Sequence, residues 1–106
     1  MDFSKKICVT CEGIGKPLEK KEILEFLKSV KGWNLSKKKI SRTFVFKDFK
    51  EAMKFVNNVA ALAEREGHHP DFSIHWNEVH LLLWTHAING LSENDFVLAA
   101  KINLLL

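Results

Sequence analysis

All five histidines of the 106-residue chain fall between positions 68 and 86. Two of them are adjacent, in the stretch EGHHPDF at residues 66 to 72. Imidazole titrates near ~6.5, so charged and neutral forms coexist near neutrality. A reaction that protonates one atom and deprotonates its neighbour needs two such groups held apart by a fold. His68 and His69 are candidates, and so is His86, placed at the end of a later strand. Asp95, nine residues further on, is a carboxylate able to hold one imidazole in a fixed tautomer. Asp95 also has a structural task, because S-E-N-D at 92 to 95 is a capping-box variant at a helix start. His75 and His80 alternate with apolar residues and are read as sheet residues, His80 with a hydrogen-bond partner.

A zinc site is the second reading. Catalytic zinc asks for three protein ligands and an open position. Adjacent His68 and His69 point in different directions, which makes joint ligation awkward, and no H-x-x-x-H pair lies on a helix. Cys8 and Cys11 form a single C-V-T-C pair with no second CxxC to complete a structural zinc site. Their place ahead of any βαβ unit also argues against a thioredoxin-like redox pair. They are read as a pair without a catalytic role, the alternative being a metal half-site completed by histidines or by another subunit.

The elements that must position these groups follow from periodicity. Pro17 is suited to the first turn of a helix, and Ile23, Leu24, Leu27 and Val30 repeat at helical spacing up to Gly32. Residues 33 to 35 and 40 to 46 read as strands joined by a lysine-rich turn, Lys37 to Lys39. Asp48, with Glu51 three residues later, opens the clearest amphipathic helix, with Phe49, Ala52, Met53, Val56, Val59, Ala60 and Ala63 at helical spacing. Gly67 stops that helix and Pro70 forbids its resumption, which leaves His68 and His69 in a turn. Phe72, Ile74 and Trp76 alternate along one strand, and residues 79 to 86 alternate along the next. Ser92 caps a last helix with Phe96, Val97, Ala100 and Leu104 on its apolar stripe. The expected fold is α+β: a four-stranded antiparallel sheet with three helices on one face, in the order α-β-β-α-β-β-α.

Composition sets the outer bounds. The length suits one domain, residues 1–106, with residues 1–16 as an extension carrying the CxxC. The net charge of +3 is too mild to imply direct nucleic-acid binding. No apolar run approaches the ~20 residues needed to cross a bilayer. MDFSKKICVTCEG lacks the apolar stretch of a secretory signal, so a cytoplasmic protein is expected.

Taken together, Glu64, His68-His69-Pro70, Trp76-Asn77, V-H-L-L-L-W-T-H at 79 to 86 and G-L-S-E-N-D at 90 to 95 resemble the pterin-4a-carbinolamine dehydratase family. G-W-N at 32 to 34 and F-x-F-K-D-F at 44 to 49 extend the resemblance over nearly the whole chain from about Leu18. It implies a lyase that removes water from a 4a-hydroxytetrahydropterin without metal or organic cofactor. By resemblance His68 and His86 are the acid–base pair, His69 orients the pterin, and Asp95 supports a histidine. Glu64 would also orient the turn, and Glu64, Pro70, Trp76, Trp84 and Thr85 would form the pterin-binding site. Trp84 is a departure, standing where the mammalian-type pattern has a small polar residue. The resemblance also implies a homo-oligomer, a dimer or tetramer, and animal members double as dimerisation cofactors of a homeodomain transcription factor.

Overall fold

The computed structural model describes residues 2–9 and 15–106, so Cys11 lies outside the described residues. A 3-10 turn, Phe3–Lys5, is followed by α1 (Lys20–Leu27), β1 (Asn34–Ser36), β2 (Lys39–Val45), α2 (Phe49–Glu66), β3 (Asp71–His75) and β4 (Glu78–Leu83). A second 3-10 turn, His86–Ile88, leads into α3 (Glu93–Asn103). The strands form one antiparallel sheet in the order β1-β2-β4-β3. Three helices and a four-stranded antiparallel sheet in the order α-β-β-α-β-β-α are as the sequence predicts.

Register sets which face is apolar. Phe44 opposes Val79 and Ile40 opposes Leu83, so β2 and β4 present a buried row to the helices. α2 covers that row with Ala52, Phe55, Val59, Leu62 and Ala63, and ring contacts link Phe55 to Phe44 and Phe46. Phe72 and Ile74 of β3 share this face, opposite Leu81 and Val79, yet each stays about a third exposed because β3 is an edge strand. No helix among the described residues is long and apolar enough to cross a membrane.

The caps are those that the residue types require. The Asp48 carboxylate accepts the Glu51 N–H at 2.9 Å, opening α2. Gly67 closes it at φ 67°, its N–H donating to Ala63 O. A left-handed residue here turns the chain sharply, so that His68 leaves the helix axis.

Four expectations are corrected. α1 begins at Lys20, not Pro17, because Glu19 and Glu22 cap it reciprocally. The Leu18 N–H is committed to Leu91 O at 2.8 Å, which keeps residues 17 to 19 out of the helix. α1 also ends at Leu27, and Val30 is reached through tighter i→i−3 bonds. The last strand stops at Leu83, because Thr85 pairs instead with Gly90 across a closed loop, which places His86 at the start of a 3-10 turn. Finally, α3 has no simple apolar stripe. Every residue from Asn94 to Ala100 is buried, while Leu104 is 73% exposed.

The second cover on α3 comes from residues ahead of Pro17. Phe3 is fully buried and packs edge-on against Phe26 at 5.0 Å, with Phe96 completing an aromatic trio. Lys6 pairs with Glu93. The Cys8 N–H donates to Glu66 Oε1 at 3.1 Å, and Glu66 Oε2 accepts from Lys101 Nζ at 2.7 Å. Burial pushes the Cys8 thiol up, the Glu66 carboxylate adds to that, and the result is about 12. Burial also pushes the Glu66 carboxyl up, but the bond and charge of Lys101 and the bond from Cys8 outweigh it and leave the carboxyl lowered.

Two outcomes follow. Cys8 remains a thiol at neutral pH, so peptide mapping after brief alkylation at pH 7.5 should find it modified far more slowly than in the unfolded chain. A rate equal to that of the unfolded chain would contradict its burial. Because the folded value of Glu66 is lowered, its contribution to stability is present above 4.5, the ordinary glutamate value, and is lost as pH falls through the lowered one. Glu66→Gln should therefore flatten the acid limb of a denaturation curve and leave its shape above pH 6 unchanged.

Candidate active site

The site begins with a buried carboxylate. Asp95 is 0% exposed and lies in the first turn of α3, where the helix dipole favours negative charge. Its Oδ2 accepts from the Ser92 N–H at 3.0 Å and from Thr85 Oγ1 at 2.8 Å. Its Oδ1 meets His68 Nε2 at 2.6 Å. An ionised carboxylate only accepts, so the single Thr85 proton goes to Asp95. Ser92 Oγ, 2.7 Å from Thr85 Oγ1, must then donate to Thr85. The same hydroxyl accepts the Asp95 N–H in the reciprocal cap. Proton positions are thus set along Ser92, Thr85 and Asp95, and the last link fixes His68 with its Nε2–H toward Asp95 and Nδ1 left for a ligand.

The remaining groups are held more loosely. His69 Nε2 lies 2.7 Å from Glu64 Oε2, both side chains exposed, one turn from the end of α2. The exposed His86 ring stacks on Trp84 at 3.9 Å with 28° between planes. Trp84 is itself fixed: its Nε1–H donates to Asp71 Oδ2 at 3.0 Å, and Lys39 Nζ lies 4.4 Å from the ring centre. These side chains surround a cleft of about 320 Å³ lined by Gly67 to Asp71 and Trp84 to Ala87. That volume suits a small planar ligand.

Of the residues singled out in the sequence, His68, His69, Pro70, Trp84, Thr85 and His86 line this cleft, with Asp95 directly behind His68 and Glu64 bonded to His69. Trp76 is not brought there. It occupies the two-residue turn at the far end of the β3–β4 hairpin, at φ 50° and 64% exposed. His80 bonds Thr43 at 2.8 Å on the outer sheet face, and His75 is exposed on β3. Sequence reasoning did not single out Ser92 as a site residue or Asp71 at all. The S-x-x-D cap spacing pointed to the first, and the second faces Trp84 only through strand pairing. Among the described residues no group of three histidines, cysteines or carboxylates is placed to hold a metal ion.

Comparison with known proteins bears on the whole arrangement. The family described as pterin 4 alpha carbinolamine dehydratase matches residues 16–105. A provisionally named pterin-4-alpha-carbinolamine dehydratase of Nitrosospira multiformis is 45% identical over 104 residues, covering 98% of this chain and 92% of its own length. One from Nitrosomonas eutropha, also provisionally named, is 46% identical over 106 residues, covering 99% and 94%. A crystal structure from Brucella melitensis, described as a transcriptional coactivator/pterin dehydratase, superposes with a TM-score of 0.81 at 36% identity, over 85% of this chain and 98% of that one. By sequence over nearly its full length, and by fold, the chain belongs to the pterin-4-alpha-carbinolamine dehydratase family.

Proposed function

We propose that the protein dehydrates a 4a-hydroxytetrahydropterin such as 4a-hydroxytetrahydrobiopterin, with His68 and His86 as its acid–base pair. The observation that carries this reading is the buried Asp95–His68 pair, which opens onto the same cleft as His86. Hydroxide is a poor leaving group, so the oxygen on C4a must take a proton as the C–O bond breaks. The N5 proton leaves and its electron pair closes the C=N bond of the quinonoid dihydropterin. One imidazole gives a proton, the other takes one, and the enzyme ends with the protons it began with. Asp95 presents His68 in one orientation, and stacking on Trp84 presents His86. His69, braced by Glu64, would bond the polar edge of the pterin. Trp84, a broad ring held by Asp71, would form one wall for the planar substrate.

The reading includes self-assembly. The partly exposed Phe72 and Ile74 on edge strand β3 and Phe49 on α2 are apolar surface that a second copy would cover. A non-catalytic coactivator role is the second reading, prompted by the description of the Brucella melitensis relative.

Absorbance decay of a 4a-carbinolamine pterin generated in situ tests the proposal. The wild-type protein should accelerate it, with no loss in the presence of chelators. His68→Ala and His86→Ala should each lower kcat by ~100-fold or more, the span of acid–base catalysis. His69→Ala should act mainly by raising KM. Alanine variants as fast as the wild type would remove the acid–base assignment. Thr85→Val keeps the shape but deprives Asp95 of a donor and Ser92 of an acceptor. It should cost about 1–3 kcal/mol in denaturant titration.

A further inference from the structure

The family match begins at residue 16, yet residues 2 to 9 lie against it, with Phe3 fully buried in the core. Where they attach is informative. The Asn94 side chain is buried, and both arms of its carboxamide go to one residue. Its Oδ1 accepts the Val9 N–H at 2.9 Å, and its Nδ2 donates to Val9 O at 2.9 Å. Next to it, the Cys8 N–H donates to Glu66 Oε1 at 3.1 Å. Asn94 immediately precedes Asp95, and Glu66 stands two residues before His68. Two consecutive residues of one segment therefore hold the two chain stretches that carry the two partners of the 2.6 Å His68–Asp95 bond. Lys101 ties Glu66 back to α3, and Phe3 anchors the segment between Phe26 and Phe96.

We propose that residues 2 to 9 act as a positioning strap for the active site, with Asn94 and Glu66 as positioning residues that set the spacing between His68 and Asp95. Neither residue lines the cleft, so each acts through its neighbour. Asn94 suits the task because its amide offers one donor and one acceptor in the plane, as a paired strand would. Loosening either hold leaves the histidine and the carboxylate chemically intact but lets the ends of α2 and α3 that carry them drift apart. The assignment rests on the dehydratase reading for its kinetic consequence but not for its structural one.

The test compares Asn94→Ala and Glu66→Ala with Phe44→Leu, a change in the sheet core, where Phe44 packs on Trp33 and Phe55, that also lowers stability. Two readouts are taken on each folded variant: steady-state dehydration, and the downfield proton resonance of the imidazole N–H shared by His68 and Asp95. In both strap variants kcat should fall about 10-fold with KM within about twofold, inside the ~100-fold that a 1 Å misplacement can cost. Their N–H resonance should broaden or vanish. Phe44→Leu should keep both at a matched loss of thermal stability. The assignment is overturned if the strap variants keep the resonance and kcat, or if Phe44→Leu loses them equally. It is also overturned if neither strap variant folds, because the contacts would then determine the fold and not the site. If the wild type fails to accelerate dehydration while the resonance still vanishes in both strap variants, the dehydratase reading falls and the strap stands.

Discussion

A carboxylate that water does not reach governs this molecule. Taking an ionised aspartate out of solvent costs several kcal/mol unless its oxygens are fully bonded. Asp95 meets that condition with a backbone N–H, a threonine hydroxyl and an imidazole. One of those bonds is also the N-terminal cap of α3. The group that starts the helix is therefore the group that orients His68, and neither task can be altered without the other. The loop from Thr85 to Gly90, the turn after Gly67 and the first turn of α3 all have to arrive at this one residue.

The cleft is asymmetric as a result. On one side His68 is fixed by a buried chain of hydroxyls and a carboxylate, and its side chain is only 12% exposed. On the other, His86 is exposed and held by the face of an indole. Hydrogen bonds define direction, whereas ring stacking tolerates sliding and rotation in the plane. Trp84 takes up the burden by being fixed itself, through Asp71 on the neighbouring strand. Trp84 thus supports a histidine as well as lining the cleft.

Much of this was legible in the chain alone, for identifiable reasons. Asp48 and Gly67 bound α2 because cap chemistry is local, and the structure places the helix between them. Antiparallel alternation gave β4 its inner face of Val79, Leu81 and Leu83 for the same reason. Features that depend on distant partners were not legible. The start of α1 is set by a bond from Leu18 to Leu91, and the end of β4 by the pairing of Thr85 with Gly90. The all-round burial of α3 depends on Phe3 and Val9, more than eighty residues away in sequence. In the site, local spacing marked Asp95 and the histidine turn, but the Trp84–His86 stack required knowing that the strand ends early. Trp76 shows the converse: alternation carried it on from Phe72 and Ile74, but a two-residue turn ends the strand at His75.

The bonds between Val9 and Asn94 span 85 residues, which gives the strap a place in time as well as in space. Contacts so far apart in sequence, like those of Phe3 with Phe96 and Lys6 with Glu93, close very long loops, and loop closure of that kind comes late and slowly. During synthesis Phe26 of α1 is available to the strap early, but Asn94 and Phe96 follow only with α3. Phe3 lacks its Phe96 partner meanwhile, so the aromatic trio is completed only when α3 is made.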